Sequence, residues 1–435
     1  MITSVSTVLT VSVWLVVVMT LYVLLYRKHI FSFYDPLLFF LLTNTLTTIL
    51  MFMQVSQVSH LVYFVFCQLA LWLGITSYRY RLEREEIIQF SSFNIKLLQS
   101  ITYTLFVIYL LANLYAASRV GFPLLTDDPT ASKTAVYVGG LGIVRRINWG
   151  ASIFLSCACF VMLFISRRKA PFVLILLCQV AFTILSGSKG GLLAFVFMLA
   201  YIIKRPGFQV RMNLSTLRKY KKYLAYFFVS GVSVALLVLY IERGNVGGAL
   251  MGLYNRLLLS GDVILYYYQP HIHRQISEAF SPIDYLLHEF NSILGLFRLS
   301  EYQNPLGYEM LVLHLKRTGE AIPLIPIGPN TQFFAKGQIF FGLGGILYSL
   351  VVGLLIGFLR KDFFVTKKFS LVRFTFAYAL VVMAFTYAIE SNLFVSQVFD
   401  LLIFVVPVLV LCYGALKMSE VAQTLHEEEN SYLGH

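Results

Sequence analysis

The chain has 435 residues and a formal net charge of +13, but only 13% of its residues are charged, whereas 58% are hydrophobic and 16% aromatic. Soluble domains carry about 25% charged residues, so this composition and a mean hydropathy of +0.76 exclude a soluble globular protein. The positive charge is interpreted as a signal of membrane topology and not of nucleic-acid binding. We predict an all-α polytopic membrane protein that forms a single membrane-embedded domain over residues 1–435.

Apolar runs long enough to cross a bilayer, which takes about 18 residues or more, recur along the whole chain. They predict about eleven transmembrane helices, at 6–26, 35–54, 57–78, 97–117, 147–166, 171–186, 190–203, 223–241, 337–359, 371–389 and 393–414. Arg27-Lys28-His29 follows the first run, which has neither a basic leader nor a small-residue cleavage site. This run is therefore predicted to be an anchor whose N-terminus lies outside, and not a cleaved signal peptide.

Assigning the loops alternately to the two sides of the membrane places 22 of the 34 Lys and Arg residues on one side. By the positive-inside rule this side is cytoplasmic, and it includes the tail at 417–435. The opposite, outer side has a loop at 118–146 and a long segment at 242–336. Two apolar stretches of that segment, 248–269 and 285–297, either both cross the membrane or both stay outside, because a single extra span would reverse every later loop. Both are predicted to lie in the outer interface, because crossing would place charged and polar residues in the membrane, namely Arg256, Asp262, Asp284, His288 and Glu289. Whether they re-enter the membrane is left open.

The stretch LSGSKGGLL at 185–193 holds Lys189, the one charged residue in the run 171–203. A single helix over this run would be about 50 Å long, too long for a hydrocarbon core of about 30 Å, and both flanks are basic. The run is therefore predicted to be a hairpin with its turn outside, in which Ser186 or Ser188 caps the second helix and Lys189 binds an anion. The alternative is a lysine that only extends to the membrane surface.

A second helix is predicted to enter the membrane from outside in the stretch 322–359. Three prolines hold its approach extended, and Asn330 or Thr331 is expected to cap the helix. The glycines that follow, at 342, 344 and 345, permit close helix packing. The alternative is a capped membrane helix without any ligand.

Cationic and titratable residues collect between these two helix ends, on the predicted outer side. Arginine makes bidentate contacts with phosphate and stays charged at low dielectric constant, so this set fits a phosphorylated lipid. The alternative is ion pairing with nearby Asp and Glu residues. The set comprises Arg243, Arg256, Asp262, His271, His273, Arg274, Arg298, His314, Lys316 and Arg317.

Polar residues within helices give narrower expectations. His271 and His273, two apart, face different sides of a helix and have no third ligand at metal spacing, so no metal site is predicted. Asp284, His288 and Asn291 form a polar stripe that is predicted to be the interfacial face of a helix and not a catalytic set.

Asp400 lies about two turns inside the last predicted span, where an unpaired carboxylate is costly. It is therefore predicted to face the interior of the helix bundle and a cation. The five cysteines all fall in apolar runs and are predicted to be small buried residues.

Three short stretches resemble the Wzy-type O-antigen or oligosaccharide repeat-unit polymerases of bacterial inner membranes: LSGSKGGLL, ERGN…NRLLLSGD at 242–262 and GPNTQFFAKGQIFFGLGGILYS at 328–349. The spans and the long outer loop are also arranged as in that family, and the resemblance implies a GT-C-like fold. It implies a metal-independent glycosyltransferase without a cofactor. The enzyme would transfer the growing glycan from undecaprenyl pyrophosphate to the non-reducing end of an incoming lipid-linked repeat unit at the periplasmic face. Expected partners are this lipid-linked oligosaccharide, the bilayer, a Wzz-type chain-length regulator and a flippase, but no nucleic acid.

This reaction predicts two groups of site residues, because arginines near helix N-termini stabilise the developing charge of a pyrophosphate leaving group. The catalytic candidates are Arg243, Arg256, Asp262 and Arg317, and Arg317 with Gly328 also fits an Arg, ten residues, Gly pattern of the family. The substrate-binding candidates are Arg145, Arg146, Lys189, Arg274, His271, His273, His314 and Asn330. The general base is left open among Asp262, Glu242, His271, His273 and His314.

Two other functions are left open. A related O-antigen ligase would transfer finished glycan to lipid A core, and a polysaccharide-lipid flippase or transporter would perform no covalent chemistry. Polar groups that collect at the outer face, and the lack of an inverted repeat or of evident broken helices, favour the polymerase over the transporter.

Overall fold

The computed structural model describes residues 5–78, 90–126, 132, 141–188, 191–205, 214–258, 261–301, 303–323, 328–365 and 370–433. Within these ranges the chain forms helices and no strand, so the predicted all-α class is confirmed. The helices are α1 (Val5–Tyr26), α2 (Pro36–Gln54), α3 (Val58–Thr76), α4 (Ser92–Val120), α5 (Gly142–Ile165), α6 (Ala170–Leu185), α7 (Gly191–Lys204), α8 (Leu214–Arg243), α9 (Val246–Leu258), α10 (Val263–Tyr267), α11 (Pro270–Ala279), α12 (Pro282–Glu289), α13 (Asn291–Leu296), α14 (Leu306–Thr318), α15 (Phe333–Phe341), α16 (Gly345–Val365), α17 (Leu371–Met383), α18 (Thr386–Ile389) and α19 (Ser391–Leu433).

Seven helical stretches in the described part of the chain are long and apolar enough to cross a membrane. Three shorter apolar helices lie at Thr10–Tyr26, Ala170–Leu185 and Gly191–Lys204. The protein is thus a multi-pass membrane protein, as predicted. Each of the eleven predicted spans overlaps a helix in the described part of the chain, while the number of crossings stays a prediction.

The predicted span at 337–359 lies within the candidate span Phe333–Val365, but it is not one straight helix, because the chain turns back at Gly342. This residue has φ 55, a conformation that favours glycine, and it opens an exposed tip before α16. A Cβ added at Gly337 would lie 2.9 Å from the Cα of Gly345. A straight helix separates residues eight positions apart by about 12 Å. Helix α15 therefore folds back against the start of α16.

The fold-back directs the N-terminal end of α15 into the protein and away from the tip. Thr331 and Gln332, which precede the helix, are both buried. The Gln332 amide donates a 3.0 Å hydrogen bond to the hydroxyl of Thr47, a residue in the middle of the apolar helix α2. Helix α15 is therefore a half-helix whose N-terminus lies at the depth of a neighbouring span.

The predicted span at 371–389 is also interrupted, since α17 ends at Met383 and the single turn α18 follows. Tight backbone hydrogen bonds, from Ala384 N to Val381 O and from Tyr387 N to Ala384 O, replace the regular helical pattern there. No glycine or proline marks this break, so the sequence carries no simple signal for it.

The internal contacts of the chain divide it into two units. Residues 1–84, 189–366 and 380–396 form the first, and residues 85–188, 367–379 and 397–435 form the second. In the first unit α3 and α16 lie with their backbones in contact, since a Cβ added at Gly74 would lie 2.5 Å from Leu350 O. Glycine is needed at this crossing because only a hydrogen side chain fits between the two helices.

A buried ion pair joins three helices at one end of the first unit. The Arg360 guanidinium donates to both carboxylate oxygens of Asp35, at 2.9 and 3.0 Å, and also to the hydroxyl of Tyr201 and to His29 O. All of these residues belong to segments that the positive-inside rule places on the cytoplasmic side. Their convergence agrees with the predicted assignment of loops to sides.

The second unit is held by polar contacts between its helices. The amide side chains of Asn113 on α4 and Asn148 on α5 exchange hydrogen bonds of 2.9 and 3.2 Å. Gln179 on α6 donates to Ser152 O and accepts from the hydroxyl of Ser156, both at 3.1 Å. Paired amides and hydroxyls of this kind satisfy polar groups that would be costly in hydrocarbon.

The predicted long segment at 242–336 consists of short helices. The apolar stretch 248–269 is divided between α9 and α10, and the stretch 285–297 between α12 and α13. Neither stretch is one continuous helix. The chain bends by 120° between the end of α8 and the start of α9, as in a broken span or a re-entrant loop. At the other end of the chain, α19 continues as a helix through residues 417–433 of the predicted tail.

Candidate functional site

Three short helices of the first unit, α10, α11 and α14, carry most of the titratable residues that the sequence singled out. Helix α11 begins with Pro270 and buries Ile272 and Ile276, one turn apart, against the rest of the unit. The residues on either side of this apolar stripe, His271 and His273, consequently point to different neighbours. This confirms the expectation that the two histidines face different sides of a helix.

His271 contacts the arginine that the family pattern selects. Arg317, near the C-terminus of α14, lies with its Nη1 2.6 Å from Nδ1 of His271. Because a guanidinium only donates, Nδ1 accepts and the ring proton of neutral His271 is on Nε2. Burial and the nearby cation lower the pKa of His271, which keeps the ring neutral. Nε2 is buried and has no hydrogen-bond partner among the described residues.

His314, on the same helix as Arg317, makes two further contacts. The Gln269 side chain lies 3.2 Å from Nδ1 of His314, and the His314 ring packs edge-on against Tyr266 at 5.3 Å. Tyr266 also interacts electrostatically with Asp262. We call Asp262, Gln269, His271, His314 and Arg317 the His/Arg cluster.

Asp262 is the carboxylate of this cluster. It stands directly before α10 and is partly buried, and burial raises the pKa of its carboxyl to about 7. The preceding Gly261 lies against α2, where an added Cβ would meet Thr47 at 2.8 Å. A carboxyl group with a pKa near the working pH is suited to accept and return a proton.

The side of α11 that carries His273 makes contacts with aromatic rings and a side-chain amide. His273 lies 4.7 Å from the ring of His60 and 4.8 Å from that of Tyr267. Gln338 on α15 accepts a 3.2 Å hydrogen bond from Tyr268 and lies 3.4 Å from Nδ1 of His60. Helix α15 is thereby tied to α11 and to the start of α3.

The opposite side of α15 carries a buried ammonium group. Lys336 Nζ donates to Glu289 Oε2 at 2.5 Å and to Ser391 Oγ at 2.7 Å. Ser391 also donates to Glu289 Oε2 at 3.0 Å, and Glu390 accepts a 2.7 Å hydrogen bond from Thr331 N. We call Glu289, Lys336, Glu390 and Ser391 the Lys336 cluster.

Two predicted substrate-binding residues lie on exposed positions near these clusters. Arg274 is exposed on α11, and Asn330 is exposed before α15. The expected capping of this helix by Asn330 or Thr331 is wrong, because Gln332 occupies the N-cap position without a side-chain cap. The Thr331 N–H is engaged by Glu390 instead, and the Gln332 side chain by Thr47.

Three further predicted residues are not described in atomic detail. Lys189 lies outside the described ranges, whereas Arg243 and Arg256 lie on α8 and α9 with side chains that are not described. The expected capping by Ser186 is wrong, because its hydroxyl donates to Thr183 O at the end of the preceding helix. Ser188 N bonds to the same carbonyl, so both serines close α6.

Arg145 and Arg146 belong to the second unit. Arg146 Nη1 lies 2.6 Å from Asp400 Oδ1, and both side chains are largely buried. This contact confirms that Asp400 faces a cation, and it gives Arg146 a structural partner. Arg145 lies over the ring of Trp149 at 5.1 Å. Phosphate binding by these two arginines stays a prediction.

The predicted interfacial stripe of α12 and α13 is wrong for two of its three members. Asp284 is exposed and caps α12 through Ser281, which lowers the pKa of its carboxyl. His288 and Asn291 are buried, and Asn291 pairs with the backbone of Gln303. His288 lies within α12 and Asn291 begins α13, so the three residues do not share one face of a single helix.

The Lys336 cluster was missed by sequence reasoning, although one signal was present. Lys336 is the only charged residue in FFAKGQIFF, and a single charge in an apolar helix marks a functional or paired group. The cysteines are free; four are buried and Cys178 is half-buried. Among the described residues, no group of three His, Cys, Asp or Glu side chains is arranged to hold a metal ion.

Comparisons with protein-family models, with curated proteins and with solved structures find no match for this chain.

Proposed function

We propose that this protein is a polysaccharide polymerase of a bacterial inner membrane, with its site on the periplasmic side. The observation that carries the proposal is the His/Arg cluster, in which Arg317 and the free N–H of His271 accompany a carboxyl group, Asp262, with a pKa of about 7. This surface combines donors for an anion with a proton acceptor. Both are needed to transfer a glycan from a lipid pyrophosphate.

The proposed step forms one bond and breaks another. The hydroxyl oxygen of the acceptor sugar attacks the anomeric carbon of the donor glycan, and the bond from that carbon to the pyrophosphate oxygen breaks. Asp262 takes the hydroxyl proton, and the lipid pyrophosphate leaves with the bonding electrons. Arg317 and His271 would donate hydrogen bonds to the leaving pyrophosphate, whose negative charge grows during the step.

Replacing Arg317 with alanine is expected to slow chain extension about 10- to 100-fold, because a hydrogen bond to a charged group contributes about 1.5–3 kcal/mol. The assay is incubation of the purified protein with lipid-linked repeat units, without added metal, and gel separation of the product ladder. Lys316→Ala is the matched control, since Lys316 is the exposed neighbour on the same helix. A wild-type protein that makes no ladder would contradict the proposed function, and equal rates for both variants would remove Arg317 from the site.

The rate of chain extension is expected to rise with pH up to about 7 and then to level off. A base acts in its deprotonated form, and Asp262 is deprotonated only above its raised pKa of about 7. Initial rates across this range test the expectation. Asp262→Asn should lower the plateau about 10²- to 10⁴-fold, whereas Asp284→Asn, which removes an exposed carboxylate of the same segment, should preserve the profile. An unchanged profile in Asp262→Asn would assign the base to another residue.

A lipid-linked oligosaccharide flippase is the second candidate, and the half-helix α15 favours it. Discontinuous helices whose N-termini lie within the membrane are typical of transporters, and the absence of such breaks was an expectation from sequence. Proteoliposomes with a fluorescent lipid-linked oligosaccharide separate the two functions. Transbilayer movement without any ladder would favour the flippase. A ligase is distinguished from a polymerase by its acceptor substrate, because it would transfer glycan to lipid A core and leave the repeat units unextended.

A further inference from the structure

The Lys336 cluster places two carboxylates around one ammonium group. Glu289 shares its Oε2 between Lys336 and Ser391, while Glu390 is bound through Oε2 to Thr331 N. Glu390 interacts electrostatically with both Lys336 and Glu289. The side chains of Glu289 and Lys336 are 4% and 0% exposed, so bulk water does not screen this ion pair.

The other titratable groups around the cluster add no positive charge. His288 stands next to Glu289, and burial together with the Lys336 charge lowers the pKa of its imidazole to about 3, so the ring is neutral. The remaining groups that interact with Glu289 are phenols, which are neutral at ordinary pH. They come from three helices and are Tyr285, Tyr348 and Tyr387.

With both carboxylates ionised, the cluster has a formal charge of −1. An uncompensated buried charge costs several kcal/mol, so the site takes up a positive charge or a proton. The N-terminal end of α15, where Thr331 N contacts Glu390, supplies a partial positive charge of about half a unit. About half of the excess negative charge is then still uncompensated.

Three buried side-chain oxygen atoms of residues in the cluster, or next to it in sequence, have no hydrogen-bond partner in the described part of the chain. They are Oε1 of Glu289, Oγ1 of Thr331 and Oδ1 of Asn392. Glu289 Oε1 belongs to the carboxylate that holds Lys336, Thr331 is the residue that binds Glu390, and Asn392 follows Ser391. Carboxylate, hydroxyl and amide oxygens are ligands that hard cations prefer.

We propose that the Lys336 cluster binds one monovalent cation, Na⁺ or a proton, between Glu289 and Glu390. A proton would be shared by the two carboxylates, whereas Na⁺ would be coordinated by the unused oxygens of Glu289, Thr331 and Asn392. A divalent ion would overcompensate the charge, since Lys336 already neutralises one of the carboxylates. The proposal does not depend on the polymerase function, because it concerns the charge balance of the protein without substrate.

The test is the thermal unfolding midpoint of the purified full-length protein, measured without any lipid-linked sugar. Na⁺ is varied against choline at constant ionic strength and constant pH, and in a second series pH is varied without Na⁺. Binding to the folded state alone raises the midpoint with ligand concentration. For Na⁺ we expect a rise of at least about 2 °C at saturation. If the proton is the cation, the midpoint falls as pH rises and Na⁺ has no effect.

Matched variants locate the effect. Glu390→Gln removes one negative charge at constant shape and should abolish the Na⁺ or pH dependence, whereas Asp284→Asn should retain it. Thr331→Val removes only one oxygen and should weaken a Na⁺ effect severalfold without changing a proton effect. A wild-type midpoint that responds to neither Na⁺ nor pH would overturn the proposal. A response that persists unchanged in both Glu390→Gln and Glu289→Gln would do so as well.

Discussion

Replacing Lys336 with methionine is expected to remove most of the folded protein from the membrane fraction. Methionine has a similar volume, but it leaves Glu289 and Glu390 facing each other with no cation in the protein. Breaking a buried ion pair by removing one partner costs about 3–5 kcal/mol. Because whole proteins are stable by only about 5–15 kcal/mol, this is a large share of the total. Size-exclusion chromatography of a fluorescent fusion measures the loss directly.

Two controls separate the charge effect from general damage at α15. Lys361→Met changes an exposed lysine of α16 that only lies over the ring of Tyr78, and it should accumulate normally. Adding Glu289→Gln to Lys336→Met should restore part of the folded protein, because it removes one of the unpaired charges. If the single variant accumulates like the wild type, Lys336 is not required to balance Glu289.

The membrane spans were predictable because hydrocarbon imposes a simple requirement. A helix that crosses the membrane satisfies its backbone hydrogen bonds internally and exposes its side chains to lipid. It therefore needs a long run of apolar residues, which can be read from the sequence. The positive-inside rule then sorted the loops, and the contact of Arg360 with Asp35 and His29 agrees with that sorting. The pairing of Asp400 followed from the cost of a buried carboxylate, although the partner, Arg146, was not predictable without coordinates.

The fold-back at Gly342 and the Lys336 cluster were not predictable in the same way. Glycines at 342, 344 and 345 fit close helix packing as well as a turn, and the structure has a turn in which Gly342 has a positive φ. With a straight helix, Lys336 lies at the outer membrane surface. With the turn, the same residue is carried inward to Glu289 and Ser391. The turn at Gly342 thus decides whether this lysine is exposed or buried.

Four of the five residues of the His/Arg cluster were predicted, whereas Gln269 and the geometry of the cluster were not. Sequence gave the residue types, whereas the contacts of Arg317 with His271 and of Gln269 with His314 depend on how α11 packs against α14. The resulting charge states matter for function. A histidine that accepts a hydrogen bond from arginine is neutral, and its other ring nitrogen carries the proton. That nitrogen can therefore donate a hydrogen bond but cannot act as a base.

Replacing Asp35 with alanine is expected to prevent folding of the first unit almost completely, because this carboxylate serves two purposes. It caps α2 by accepting a hydrogen bond from Leu37 N at 2.9 Å. It also accepts two hydrogen bonds from the guanidinium of Arg360, which is buried. Loss of a cap costs about 1 kcal/mol, and an unpaired buried guanidinium costs about 3–5 kcal/mol more. The yield of monodisperse protein and its unfolding midpoint measure the combined effect.

The two contributions can be measured separately. Ser91→Ala removes an exposed cap from α4, where the hydroxyl accepts from Asn94 N at 3.2 Å, and should lower stability by only about 1 kcal/mol. Asp35→Asn retains an acceptor for Leu37 N but loses the charge, so it should be nearly as harmful as alanine. If Asp35→Asn instead behaves like Ser91→Ala, the cap and not the ion pair is the important contact. In that case Arg360→Met should also be tolerated, since the guanidinium would contribute little to holding α2 and α16 together.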